Sequence, residues 1–335
     1  MNKKVSIVIP CYNEEKYISQ CINSILSQKY ENKEIIVCDG GSQDGTLEII
    51  KSYGNKIILL ENKKRTTPHA LNLGIKNSSG DIVIIFGAHA VMKPDYVYES
   101  VRTFDIDKEI ACVGGVLTNI NESNIAKNIS AAMSSIFGVG NAHFRTGLKR
   151  GYVDTVAFGA YKKDIFDTVG YFDEELTRNQ DDEFNYRITN MGYKIYLNPT
   201  IKSDYYVRAT YKKLFKQYYQ YGYWKVYVNK KHRAITTIRQ LFPALLILFI
   251  IIGLITTWIF PVLLPFYIIP VLIYIWLGIL FAALKSDKDI VNFMRVLYSF
   301  WILHFSYGLG YINGIIDFLI LNKSRVSEKY SESSR

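Results

Sequence analysis

Cysteine is scarce, with Cys11, Cys21, Cys38 and Cys112 the only four in 335 residues. No two stand at CxxC or metal-ligand spacing, which excludes a disulfide framework and a zinc module. Three lie in apolar runs, so buried free thiols in a reducing compartment are expected. No cleavable leader is expected either. The first apolar run, residues 5–10, is short and is cut by Asn13-Glu14-Glu15, so a soluble domain is expected to begin at once, on the cytoplasmic side. There is no internal repeat, and the only low-complexity tract is the polar tail, residues 322–335. Acid is nearly absent from residues 202–239, where Asp204 stands alone against ten Lys and Arg, in a chain of net charge +10.

That basic segment, interleaved with aromatics from Tyr205 to Tyr227, directly precedes residues 241–284, which carry no charge before Lys285. Basic and aromatic residues together suit single-stranded nucleic acid in other settings. Beside a long apolar run they instead mark the cytoplasmic membrane interface, so membrane lipids and no nucleic acid are the expected partners. The apolar run is long enough for two passes of about 20 residues each, with Pro261 and Pro265 at the turn and Lys285, Lys288 and Arg295 returning to the cytoplasmic side. A third apolar segment, residues 296–321, contains His304, Asn313 and Asp317; it either spans or lies tilted, interfacial or buried among helices. The expected layout is a cytoplasmic domain over 1–201, an interfacial segment over 202–240, a transmembrane region of two to three helices over 241–321, and the tail. This describes a multi-pass protein of the cell membrane.

Residues 5–9, 34–38, 57–60 and 82–86 read as strands and alternate with helical patterns over 15–28, 46–53 and 70–76. The first helix puts Ile18, Cys21, Ile22, Ile25 and Leu26 on one face. Strands alternating with helices predict an α/β fold with a parallel, doubly wound sheet. Further strands are expected at 110–117 and 157–161, a helix at 181–191, and a less regular acceptor side over 118–198. Ligands of such sheets bind beyond the carboxyl ends of the strands, which here are the loops 11–14, 39–45 and 87–90. Any one of these alone reads as an ordinary turn.

Two of these loops carry a resemblance. Val5-Ser6-Ile7-Val8-Ile9-Pro10-Cys11-Tyr12-Asn13-Glu14-Glu15, followed by Asp39-Gly40-Gly41-Ser42-Gln43-Asp44-Gly45-Thr46, resembles the family 2 glycosyltransferases, and within them the succinoglycan-type bacterial enzymes that extend lipid-linked polysaccharide precursors. The resemblance covers residues 3–224. It implies a GT-A fold, inversion at the anomeric carbon and a nucleotide-sugar donor, a uridine diphosphate sugar being expected, with a lipid-linked or other saccharide acceptor. Glu14 and Asp39 match its nucleotide-binding positions, and Pro10, Tyr12 and Gly41 lie in the same motifs. Asp39 as a mere cap of the turn into the next helix is the plainer alternative. Arg65, with Ala70, Asn72 and Gly74, fits a family segment near the donor diphosphate.

Where the family has Asp-x-Asp, this chain has Gly87-Ala88-His89, and the resemblance implies that Gly87 and Ala88 lie at the nucleotide sugar. The family's carboxylates hold a divalent cation, Mn2+ or Mg2+, against the diphosphate; His89 remains as the side-chain ligand, or as a solvated loop histidine. Asn179-Gln180-Asp181-Asp182-Glu183 resembles the family's Glu-Asp element, with Gln180 in the place of Glu and Asp181 matching the base. An inverting transfer needs one carboxylate to take the acceptor hydroxyl's proton. Asp182 and Glu183 also read as ordinary compensation of a helix dipole. Residues 217–224 resemble the Gln-x-x-Arg-Trp element of processive synthases only faintly and read as an interfacial amphipathic helix, which favours addition of one sugar. A processive synthase and a non-catalytic nucleotide-sugar-binding subunit are the competing expectations.

Overall fold

The computed structural model describes residues 3–147, 149–207, 210–287 and 289–323, so Arg208, Lys288 and the tail from residue 324 lie outside the described residues. Nine strands form one sheet: β1 (Val5–Cys11), β2 (Lys33–Asp39), β3 (Ile58–Glu61), β4 (Ile82–Ile85), β5 (Ala90–Met92), β6 (Ile110–Ile120), β7 (Gly151–Val153), β8 (Ala157–Lys162) and β9 (Lys194–Tyr206). The period-2 alternation of β1 sorts its side chains. Val5, Ile7, Ile9 and Cys11 enter one apolar layer with the helix Ile18–Leu26, and Val8 enters the other with the helix Thr67–Lys76. A strand covered on both faces reads as an unbroken apolar run, as this one does. Gly74 allows the second helix to close on the sheet, since a β-carbon there would stand 2.3 Å from Val8 Cγ1.

The first half of the sheet is parallel, in the order β3-β2-β1-β4, as the alternating pattern implies. The second half departs from the parallel expectation. β8 runs antiparallel to β4 and β6 antiparallel to β8, while β9 runs parallel to β6 and antiparallel to β5 and β7. Three strands here were not expected. β5 and β7 are only three residues long, and β9 carries Asn198, Lys202, Ser203 and Asp204 among its apolar residues, so none shows a strand's pattern in isolation. Because β9 continues to Tyr206, the boundary expected at residue 201 falls inside a strand.

Two compact units result, one of Met1–Ile120 with His143–Tyr206, the other of Asn121–Ala142 with Val207–Arg335. In the second, the helix Tyr211–His232 lies along the helix Ile290–Gly314. Glycines make this approach close: a β-carbon at Gly222 would stand 2.1 Å from the Tyr307 carbonyl oxygen, and one at Gly310 2.0 Å from that of Tyr219. Tyr218, Tyr223, Trp224 and Lys225 are consequently buried. Residues 217–224, read from sequence as an interfacial amphipathic helix, thus place most of their side chains in a helix-helix seam. The helix Ile290–Gly314 is also largely buried among helices of this unit; His304 fastens it to the Phe137 carbonyl oxygen (2.8 Å) and the Tyr274 hydroxyl (2.9 Å). Among the described residues two helical segments are long and apolar enough to cross a membrane, Ile238–Ile259 and Pro261–Lys285. Only 17% and 11% of their apolar windows are buried, unlike core helices of a water-soluble domain.

Candidate functional site

The register of the parallel strands places Cys11 opposite Asp39, so the two loops that follow leave the sheet side by side. They are stitched together. The Asn13 amide donates to Ser42 Oγ, the Gln43 amide to Asn13 Oδ1, the Glu14 amide to Thr46 Oγ1 and the Gly45 amide to Glu15 Oε2. Asp39 is buried, and its Oδ2 accepts from the amides of Gly41 (2.8 Å) and Ser42 (3.0 Å). The turn-shaping reading of Asp39 is therefore present in the geometry. A carboxylate has about four acceptor sites, so these bonds leave capacity for a ligand. Gly41 has φ +79°, and a β-carbon there would stand 3.7 Å from Arg65 Nε; one at Gly40 would meet Tyr12 Cδ2 at 3.4 Å. Tyr12, Gly41, Asp39 and Arg65, distant from one another in sequence, thus share one rim, with Pro10 half-buried just behind it at the end of β1.

Glu14 and His89 face each other directly, His89 Nδ1 lying 3.1 Å from Glu14 Oε1 with the carboxylate buried. Burial first, then the Glu14 and Asp39 carboxylates, push the Cys11 thiol up, and burial pushes Cys38 to about 12. All four cysteines are buried and free, so none is poised as a nucleophile. Gly87 is packed as a residue without a side chain: a β-carbon there would stand 2.9 Å from Phe158 Cε1. Ala88 is buried beneath the loop.

Asp181 is exposed in the first turn of the helix Gln180–Asn190. Its charge is felt by Tyr161, whose hydroxyl is held well above its usual range by burial, then Cys112, then Asp181. Gln180 Oε1 is buried with no hydrogen-bond partner among the described residues. Glu183 plays a structural part, since it is buried and accepts from Arg187 Nε (2.8 Å) and Nη2 (3.0 Å), while Arg187 also holds the carbonyls of Val169 and Tyr171. Asn72 is buried. Its amide bonds both ways to the backbone of Phe172 and also to Glu174 Oε1, so it fastens the Thr67–Lys76 helix to the segment leading to Asp181.

Four non-glycine residues with left-handed backbone, Asn13, Arg65, Phe158 and Asn179, lie beside these groups. Such strain collects where function over-determines the backbone. Tyr205, expected at a membrane interface, instead lies in β9 opposite Ala90, its ring 5.3 Å from that of His89. Arg145, which no motif or spacing singles out, has its guanidinium 6.0 Å from the Tyr205 ring. Pairing of β9 with β5 brings Tyr205 to the loop.

Among the described residues no three His, Cys, Asp or Glu gather as a metal-binding group. The donors at residues 87–90 are one imidazole and the carboxylate that faces it, which does not fit a resident divalent cation. It does fit a cation that enters on a diphosphate, for a carboxylate behind an imidazole is the usual support of a metal-bound histidine.

The family profile described as "Glycosyl transferase family 2" matches residues 6–170. The chain is 39% identical over 230 residues, 65% of its length, to dolichyl N-acetyl-alpha-D-glucosaminyl phosphate 3-beta-D-2,3-diacetamido-2,3-dideoxy-beta-D-glucuronosyltransferase of Methanococcus voltae, 71% of which is covered. It is 30% identical over 246 residues, 71% of its length, to succinoglycan biosynthesis protein ExoA of Rhizobium meliloti, 73% of which is covered. In fold it is similar to a mannosyltransferase of Pyrobaculum calidifontis solved with GDP-Man and Mn2+, at a TM-score of 0.52, 15% identity, and coverage of 98% of this chain and 78% of that one. Two motif loops stitched at adjacent strand ends, a GT-A sheet to hold them, and relatives matched across most of their length agree: the chain belongs to glycosyl transferase family 2 and is a glycosyltransferase.

Proposed function

We propose that the chain transfers a sugar, with inversion, from a nucleoside diphosphate donor, a UDP-sugar, to a hydroxyl of a saccharide carried on a membrane-anchored polyprenyl phosphate or diphosphate, in surface polysaccharide or glycan synthesis. The single observation that carries this reading is the rim on which Tyr12, Asp39, Gly41 and Arg65 meet beside the Glu14–His89 pair. Tyr12, 40% exposed, offers an aromatic face to a base, the glycines allow the backbone to approach, and Arg65 offers a planar cation to phosphate oxygen. The Methanococcus relative's name specifies a dolichyl phosphate acceptor, which supports a lipid-linked one here.

In this mechanism Asp181 accepts the proton of the acceptor hydroxyl as that oxygen bonds to the anomeric carbon. The bond from that carbon to the diphosphate breaks, and its electron pair leaves with the nucleoside diphosphate. No second carboxylate is needed as an acid, because the diphosphate is a good leaving group once its charge is met. Mn2+ or Mg2+ supplies such charge when it enters with the donor, and His89 is the side chain that would hold it. The basic stretch before the candidate spans supports a transferase domain on the cytoplasmic face, against anionic lipid.

Purified full-length protein in detergent, given a panel of nucleotide sugars and a polyprenyl-phosphate saccharide with and without Mn2+ or Mg2+, tests the reading. Asp181→Asn should lower transfer by about 10²- to 10⁴-fold while donor binding persists. Equal transfer by wild type and Asp181→Asn would remove Asp181 from the role, and failure of the wild type to bind any donor would remove the reading.

A further inference from the structure

An inverting transfer leaves negative charge on phosphate oxygens, and the chain lacks the carboxylates with which the family motif holds a cation there. The loop at Gly87 is packed so that Phe158 occupies the ground a side chain would need. A fixed positive charge built into the protein would serve there beside any cation that enters with the donor. Arg145 has the properties of one. Its guanidinium lies 5.3 Å from the Phe144 ring and 6.0 Å from the Tyr205 ring, and the Tyr205 ring packs edge-on against His89. Held between two aromatic faces, the group keeps its charge and loses orientational freedom. Arg145 Nη1 is nevertheless buried with no hydrogen-bond partner among the described residues, and so is the hydroxyl of the adjacent Thr146. A buried guanidinium N–H without an acceptor is costly, and native structures rarely leave one so unless a ligand completes it.

We propose that Arg145 is a phosphate-binding residue of the transfer site, its guanidinium donating to a phosphate oxygen, with Thr146 as a second donor. This deepens the reading above and rests on it for the identity of the substrates. Phosphate oxygen comes to such a site from two sources, the donor's diphosphate and the phosphate of a lipid-linked acceptor. Charge-assisted bonds from guanidinium to phosphate suit both.

The test uses the full chain in detergent, with thermal unfolding to establish that each variant is folded. Binding of uridine, UMP, UDP and inorganic pyrophosphate is measured in EDTA for wild type, Arg145→Gln and Arg145→Lys. If the donor is the source, Arg145→Gln weakens UDP and pyrophosphate by about 10- to 100-fold, leaves uridine unchanged, and Arg145→Lys recovers part of the loss. If the acceptor is the source, UDP affinity is unchanged and KM for a polyprenyl-phosphate saccharide rises by at least about 10-fold, with no rise for the same saccharide lacking phosphate. Either result supports the proposal. Folded Arg145→Lys and Arg145→Gln proteins that match wild type in UDP, pyrophosphate and acceptor KM overturn it. A wild type that binds pyrophosphate through Arg145 but no nucleotide would separate the failure of the donor assignment from that of the phosphate site.

Discussion

Gly87 departs from the family pattern, and its surroundings have adapted to the departure. The Phe158 ring stands where a β-carbon would begin, with Phe158 itself in left-handed backbone and its carbonyl accepting from the Tyr96 hydroxyl at 2.6 Å. Restoring the family's carboxylate by Gly87→Asp is therefore expected to cost about 1–3 kcal/mol rather than to improve cation binding. Thermal unfolding of that variant alone and with Phe158→Leu measures the coupling, which should be favourable in the pair; additive losses would mean the ring does not hold the place. Glu34 makes a second prediction at this scale. Burial alone would raise its carboxyl, but Lys4, Ser6 and Ser79 hold it down at about 2. A folded value below the unfolded one adds stability that is complete above about pH 4.5 and is lost as pH falls toward 2. Glu34→Gln should thus lower the thermal midpoint at pH 7, and the gap from wild type should shrink by about pH 3. A gap that stays constant with pH would sink this account. Glu34 opens β2, at the opposite end of the strand from Asp39, so transfer activity should not change.

At the scale of elements, the seam between Tyr211–His232 and Ile290–Gly314 depends on absent side chains. Gly310→Ala would set a methyl group 2.0 Å from the Tyr219 carbonyl oxygen, a backbone atom that cannot rotate away. Its thermal midpoint in detergent should fall by at least about 5 °C, whereas Trp258→Ala, at a residue 86% exposed, should move it by about 1 °C or less. Equal shifts would show that the close approach carries no stability. The helix Gln180–Asn190 follows similar logic with charge. Glu183 and Arg187 pair with one another inside, which gives Glu183 a structural part in the same turn as Asp181. The sequence alone presents three acids in a row, and nothing in their spacing separates the structural one from the catalytic candidate.

For the whole molecule, the two segments Ile238–Ile259 and Pro261–Lys285 should hold the chain in membranes. Membranes bearing the full-length protein and washed with alkaline carbonate should retain it, and recovery in the supernatant would contradict a spanning anchor. The parallel half of the sheet, its strand-end loops, the buried cysteines and the two long apolar helices were legible from residue order, because each depends on local periodicity or on turn chemistry within a few residues. The antiparallel half was not. β5 and β9 are strands only because partners distant in sequence supply their hydrogen bonds, and that pairing brings Tyr205 to His89. Likewise, the aromatic run over 217–224 has the same composition whether it faces a membrane interface or another helix. Sequence by itself determined which residue types line the strand ends and where apolar length suffices for a bilayer, since both are properties of consecutive residues. Tertiary structure alone decided that Glu14 faces His89, that Asn72 bonds the Phe172 backbone and that Arg145 approaches the Tyr205 ring, because contacts between distant residues arise only from the folded sheet.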